Sequence, residues 1–589
     1  MDGNSTVVES GVQKALFFGW LDFTLFILML GLSTLIGIYF GIWGRKEDTP
    51  KEYLHGGKTM NTAPVAISLV ASFLSGIMMM GAPTEIYLYG TLYWLVCICI
   101  VIVGVITDIF YLPVFYELQL TSTYEYLQLR FSRSVRVMAS VLWTIGLLLY
   151  IPIVVYVPAL AFSQVSGINV HIITPVISVL CIFYTMMGGI KAVVWTDVLQ
   201  GIVMTVSSIA VIILGVIHVG GIGVVWERSQ LGGRIRVFEM NVSPFIRMTF
   251  WNVLIGNTFA WMGGLSISQA MVQKFMALPT YSKARTSLYI FVFEVIFIVS
   301  ISCVTGLLIY AKYYQCDPIT SKIISRPDQL LPYYVLDIAS SVPGLPGLFV
   351  AGIFSAALST MSSSLNSLGA TLFEDFVRPC FKQKISDHIA NVMIKCVVVI
   401  IGGICLLIVF LVDKLGAVLQ LSVSVSGVTY GAMVGLFSFG MFYPRGNAKG
   451  ALAGSISSLL VMGWIVFGTQ KELAYGRIKH TVLPASVEGC GFNVTLSEQT
   501  VIESPEDEVF FIYHLSMMYY TLAGTIVVFV VGIIVSHLTE EPSAENMNPA
   551  FFTPLVRKYF LKKRQKIAQE NNQIPEKELL NMKPRDSIS

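Results

Sequence analysis

Charge is what this sequence has least of. Only 12% of its 589 residues are Asp, Glu, Lys or Arg, about half of the roughly 25% found in an average soluble domain. Hydrophilic linkers are missing too, although a soluble chain this long would divide into several domains. A large soluble enzyme is thereby excluded. Histidine is sparse, at 7 residues, and the 9 cysteines form no C-x-x-C or Cys/His pattern with metal-ligand spacing. No phosphate loop, G-x-S-x-G elbow, H-E-x-x-H helix or basic–aromatic nucleic-acid patch occurs. With neither a nucleophile–base pair nor a metal cluster, the chain is expected to be no enzyme, to need no cofactor and to bind no nucleic acid.

What is abundant is apolar surface: 55% of residues are hydrophobic and the mean hydropathy is +0.73. Runs of about 20 apolar residues are long enough to cross a bilayer. About thirteen such runs are found, near 18–43, 62–87, 91–115, 136–163, 170–189, 195–222, 249–268, 286–311, 342–370, 387–412, 416–442, 449–468 and 511–537. The expected fold is therefore an all-α polytopic membrane protein. It has a short polar N-terminus (1–17), a membrane domain (18–537) and a charged tail (538–589). The polar start and the long first run are unlike a cleavable signal. The tail's basic run, RKYFLKKRQK, is expected to form an interfacial helix near the membrane.

Thirteen spans put the termini on opposite sides. With the N-terminus outside, the inward loops and tail hold more than twice as many Lys and Arg as the outward loops, as the positive-inside rule requires. The glycan acceptor sequons at Asn4, Asn241 and Asn493 then all lie outside. So do Cys316 and Cys490, the only two cysteines on the oxidising side, which are expected either to pair or to stay free.

One helix stands out. The stretch FSAALSTMSSSLNSLGATLFEDF begins at Phe354 and carries seven hydroxyls by Ser367: Ser355, Ser359, Thr360, Ser362, Ser363, Ser364 and Ser367. Small hydroxyl residues ordinarily let membrane helices pack closely and bond their own backbone, and most of the seven are expected to do only that. The adjacent pair Ser359 and Thr360 also offers neutral oxygens to a desolvated Na+. The missing oxygens are expected from an interrupted helix. The second run, AISLVASFLSGIMMMGAPTEIYLYG, is broken by Ser72, Ser75, Gly76, Gly81 and Pro83, which points to the carbonyls of Ala71 and Leu74. Met78 to Met80 lie beside the break, as packing or as pocket lining. Asp197 opens another apolar run, with Gln200 one turn later. A carboxylate there is either a helix cap or a functional group. Glu85 follows the break and is placed near a vestibule.

Four stretches together resemble the sodium/solute symporter family: SLVASFLSGIMMMGAPTEIYLYG, FYTMMGGIKAVVWTDVLQ, CDPITSKIISRPDQLLPYYVLD and GLFVAGIFSAALSTMSSSLNSLGATLFEDF. The likeness runs in order from about residue 20 to 540. It is strongest to the branch holding the sodium-coupled monocarboxylate, multivitamin and iodide transporters. The resemblance implies thirteen helices with two inverted five-helix repeats, here about 62–222 and 249–442, and Na+-coupled uptake by alternating access at the plasma membrane. It implies a sodium site from the carbonyls of Ala71, Leu74 and Ala356 and the hydroxyls of Ser359 and Thr360. A substrate or second-sodium neighbourhood would take in Ser72, Ser75, Met78, Tyr150, Asp197, Gln200 and Gln269. Met78 stands where the iodide symporter has glutamine, and Ser268 where sugar transporters have asparagine. The expectation is therefore a small organic anion, a monocarboxylate or a vitamin such as biotin or pantothenate. Two sodiums with one monovalent anion would make uptake electrogenic. The competing readings are a non-transporting sensor, an uncoupled channel on the same scaffold, and an iodide-like inorganic anion symporter.

Overall fold

The computed structural model describes residues 18–44, 49–339, 342–381, 385–412, 418–490, 509–539 and 547–570. They form a helical bundle. Its first helices are α1 (Trp20–Ile42), the pair α2 (Thr62–Phe73) and α3 (Gly76–Tyr89), the span α4 (Thr91–Leu118), α5 (Arg133–Ser166) and α6 (Val170–Val219). A second series follows: α7 (Thr258–Leu265), α8 (Gln269–Met276), α9 (Tyr281–Lys312), α10 (Leu345–Leu372), α11 (Asp387–Val412) and α12 (Val418–Phe442). The chain ends with α13 (Ala448–Ala474), α14 (Tyr520–Leu538) and α15 (Pro554–Glu570).

Among the described residues nine helices are long and apolar enough to cross a membrane, or ten if the bent pair α2/α3 is one span. The count differs from thirteen for local reasons. The runs at 170–189 and 195–222 are two helices joined end to end at a kink within α6, 50 residues in all. At 1.5 Å per residue it would reach about 75 Å, far beyond a hydrocarbon core of about 30 Å. Gly189, with φ of 58° and ψ of −152°, bends it within its length. A side chain there would strike Tyr53, whose carbonyl oxygen lies 2.6 Å from a Cβ built on Gly189. The run at 249–268 is likewise divided, by a π-helical turn at Asn252–Asn257 and a break between α7 and α8.

Two stretches of the bundle are thus interrupted, α2/α3 and α7/α8. Between α2 and α3 the axis turns by 61°. Leu74 still donates its N–H to Val70 O (2.9 Å) but takes extended dihedrals (φ −86°, ψ 97°), and the next helix starts with Met78 N–H on Ser75 O (3.0 Å). The carbonyls of the last turn of α2 therefore lie beyond the end of its ladder. Gly76 is wedged at this elbow: a Cβ would sit 2.9 Å from Pro158 Cγ and 3.2 Å from Ile353 O.

α10 is the axis of the molecule. Every residue from Phe349 to Thr371 is buried, against α1, α2, α5, α6 and α11. A helix that is apolar on one face alone could not sit there; this one is small and hydroxyl-rich all round, which permits the close approach. On one side of the bundle the Cys316–Cys490 disulfide joins two loops, with Cα atoms 4.9 Å apart. Backbone bonds from Asp317 N to Ser486 O and from Gly489 N to Gln315 O (both 2.9 Å) secure the same junction. Asn241 is exposed, whereas Asn4 and Asn493 lie outside the described residues.

Candidate ion and substrate site

Six of the hydroxyls of α10 divide into two groups. Ser355, Ser362 and Ser367 bond backward to Ala351 O (2.8 Å), Ser359 O (3.1 Å) and Ser364 O (2.9 Å). They satisfy themselves within their own helix. Ser359, Thr360 and Ser363 reach across to the broken helix. Thr360 Oγ1 lies 3.2 Å from Ser72 O and 3.0 Å from Ala356 O. Ser359 Oγ and Ser363 Oγ lie 3.1 and 2.7 Å from Ser72 Oγ. The elbow and the middle of α10 are thereby joined through oxygen. Ala71, Leu74 and Ala356, each 1% exposed, surround the same point.

Beside it lies a fully buried charge pair. Asp197 on α6 is 0% exposed. Its Oδ2 accepts Ser68 Oγ (2.6 Å), Ser72 Oγ (3.0 Å), Lys274 Nζ (2.9 Å) and, more weakly, Ser363 Oγ (3.5 Å). Lys274 on α8, 1% exposed, also donates to Ser68 O (2.9 Å) and to the Ser72 hydroxyl. The ammonium thus spends its donors on one carboxylate, one hydroxyl and one carbonyl, the arrangement that makes a buried ion pair tolerable. It also ties the interrupted helix of the second half to that of the first. Asp197 Oδ1 and Gln200 Oε1 accept no hydrogen bond from the described residues.

A cavity of about 250 Å³ opens directly onto this polar floor. Ser72, Thr360, Ser363 and Ser364 line its base, with Ser75, Met78 and Tyr150 from the expected neighbourhood. Its walls are aromatic. Phe73 meets Trp261 edge to face at 5.2 Å, and Trp143 stacks on Tyr430 at 5.7 Å. Glu85 is the one charged residue among the described residues of the lining. Its carboxylate is bound bidentately by Arg247, with 2.9 Å between Nη2 and Oε2, and the Arg247 guanidinium rests 3.7 Å over the Tyr89 ring. Met248 and Met517 line both this cavity and a wider vestibule that includes Arg236, Lys479 and His480.

Two expected residues fall elsewhere. Gln269 does not face the cavity; its side chain accepts from Thr123 N (2.7 Å) and donates to Thr121 O (3.0 Å), pinning that loop to the start of α8. Gln200 points the other way along α6, its Nε2 lying 3.4 Å from Ser33 Oγ on α1.

The residues from 53 to 458 match the model of the sodium:solute symporter family. The chain belongs to that family. This symporter is 38% identical to sodium-coupled monocarboxylate transporter 2 of Mus musculus over 535 residues, 91% of this chain and 86% of the relative. It is 38% identical to sodium-coupled monocarboxylate transporter 1 of Homo sapiens over 92% of this chain and 90% of the relative. The sodium-dependent multivitamin transporter of Oryctolagus cuniculus matches at 35% over 92% and 86%. Among solved structures, a Na+-coupled sialic acid symporter in a substrate-bound outward-open state shares the fold, with a TM-score of 0.73. The identity is 24%, and 89% of this chain and 99% of that one are covered.

Sequence reasoning on this symporter missed Lys274. It sits in the polar stretch QAMVQKFMALPT, just past the apolar run at 249–268. It is the only charged residue between Thr249 and Leu278. A lone charge flanked by Val272, Phe275 and Met276 could have been matched to Asp197, since intramembrane charges require partners.

Proposed function

We propose that this chain imports a small organic monoanion, a monocarboxylate or a carboxylated vitamin, with sodium. The observation that carries the reading is that Ser72 and Thr360 belong at once to the oxygen cluster at the elbow and to the cavity lining. A sodium ion held by the carbonyls of Ala71, Leu74 and Ala356 and the hydroxyls of Ser359 and Thr360 would form part of the cavity floor. Among the described residues the lining holds no Lys or Arg, so the ion itself supplies the positive charge that a carboxylate needs. Binding is then ordered. Sodium enters first and the anion pairs with it, because burying either alone costs several kcal/mol more than burying both.

The open acceptor Oδ1 of Asp197, whose Oδ2 accepts from Ser72 and Ser363, supports a second cation neighbourhood on the other side of Ser72. The aromatic walls suit a short hydrocarbon tail and give a sugar little to bond. The monocarboxylate and multivitamin relatives support the same class of substrate. Each elementary charge moving inward through 100 mV releases about 2.3 kcal/mol, which drives accumulation against a gradient. The N-terminus lies outside and the tail inside the plasma membrane in this reading, as the Lys and Arg distribution favours.

The test is expression in oocytes, with currents and tracer uptake recorded for lactate, pyruvate, nicotinate, biotin, pantothenate, iodide and glucose, in Na+ and then in choline. Uptake of a carboxylate that stops in choline is the expected result. Uptake that persists in choline, or silence from surface-expressed protein across the carboxylates, overturns the reading.

A further inference from the structure

The segment after α14 is not a loose tail where it is described. Tyr126 Oη donates to Phe551 O (3.0 Å), and Thr553 N–H donates to Met441 O (3.3 Å) near the end of α12. Phe552 is buried, lies 5.1 Å from the Arg130 guanidinium and stacks on Phe560 with ring centres 5.1 Å apart. Arg557 pairs with Glu117 at the end of α4. These contacts hold α15 at the level where two apolar spans of the bundle finish.

Among the described residues, none covers the opposite face of α15. Leu555 and Tyr559 are 61% and 67% exposed, and Lys558 and Lys562 are exposed beside them. Spacings of three, four and seven put all four on one side of a helix. The sequence continues with Lys563, Arg564 and Lys566, so the helix carries six basic residues and one acidic residue, Glu570. Two large apolar side chains flanked by lysines are unfavourable in open water. They suit the boundary of a bilayer, where the rings and methyls enter the headgroup layer and the ammonium groups reach the phosphates.

We propose that α15 lies on the membrane and binds anionic phospholipid headgroups through Lys558, Lys562 and the following basic run, with Leu555 and Tyr559 as its apolar contacts. A bilayer is favoured over an acidic protein because the clamp through Phe551, Phe552 and Phe560 fixes the helix to membrane-spanning elements, at the membrane's own level. Each basic residue near an anionic leaflet adds to the attraction, and salt weakens it.

The experiment uses the full chain carrying Leu555→Cys, with the exposed Cys380 and Cys396 changed to serine and an environment-sensitive nitrobenzoxadiazole probe on the new thiol. The protein is placed in nanodiscs of phosphatidylcholine alone or with about 30 mol% phosphatidylserine, a composition that gives a substantial negative surface potential. Probe emission is expected to rise at least about twofold and shift to the blue in the anionic discs, and to fall back in high salt. The rise is expected to vanish in Lys558→Gln/Lys562→Gln/Lys563→Gln/Arg564→Gln/Lys566→Gln. Equal emission in both disc types, or a rise with soluble polyglutamate and none with phosphatidylserine, overturns the proposal.

Discussion

Two ion pairs bracket the cavity, and they are built differently. Asp197–Lys274 lies beneath the floor, with both side chains at most 1% exposed and hydroxyls around the shared oxygen. Glu85–Arg247 lies at the mouth, where the side chains are 7% and 17% exposed and the guanidinium is stacked on a tyrosine that faces the vestibule. The lower pair cannot separate without leaving a bare charge in a dry interior. The upper one can exchange its partner for water. The difference assigns rigidity to the floor, where two broken helices must keep their oxygens in register, and freedom to the entrance, where substrate must pass.

The largest effect is expected from breaking the lower pair. Lys274→Met leaves Asp197 uncompensated and should cost about 3–5 kcal/mol. It should appear as a large fall in the thermal midpoint of the purified protein and as loss of uptake. Lys274→Met with Asp197→Asn should recover much of the midpoint; a single variant as stable as the parent would show the pair to be dispensable. Thr360→Ala comes next. Losing one oxygen to a cation is worth about 1.5–3 kcal/mol, so the sodium concentration giving half-maximal uptake should rise roughly tenfold or more.

Arg247→Gln tests the upper pair. Glu85 is itself buried but sits nearer solvent than Asp197, so the stability cost should be about 1–3 kcal/mol. The uncompensated negative charge of Glu85 should also raise KM for an anionic substrate several-fold while the sodium requirement stays put. Adding Glu85→Gln should restore KM, and a KM that stays high would mean that Arg247 contacts the substrate itself. The smallest effect belongs to Ser355→Ala and Ser367→Ala, which remove hydroxyls that bond their own helix. Stability should change by less than about 1 kcal/mol and sodium dependence not at all. A shift in sodium dependence with either variant would undo the division of α10 into packing and ligand hydroxyls.

The comparison also marks what was legible beforehand. The elbow after Phe73 could be read from Ser72, Ser75 and Gly76, because such residues interrupt an apolar run at a depth where only a cavity or protein can satisfy the backbone; Gly81 and Pro83, expected to break it as well, lie inside α3. The division of the α10 hydroxyls could be read only as a tendency. Which of Ser359, Ser362 and Ser363 turns toward α2 depends on the rotation of one helix against another, and a spacing of three or four fits several choices. Gln269 was misplaced for the same reason: it sits at a helix start, where one dihedral decides between the cavity and the 121–123 loop. Lys274 was hidden by its company of glutamines, which look like loop until Asp197 is seen opposite. For Cys316 and Cys490 pairing and free thiols stood as equal alternatives, because a sequence does not give the distance between two loops; the structure has the bond.

That bond gives the molecule an unusual wiring. It closes a ring of chain with a sequence separation of 174, running from the loop after α9 through α10, α11, α12 and α13. A protease that cuts once inside the ring, for example after the exposed Phe381, severs the thread and releases nothing. The two pieces should migrate as one band on a denaturing gel until a reductant is added, so the central helix of the bundle outlasts a break in the polypeptide on its own sequence.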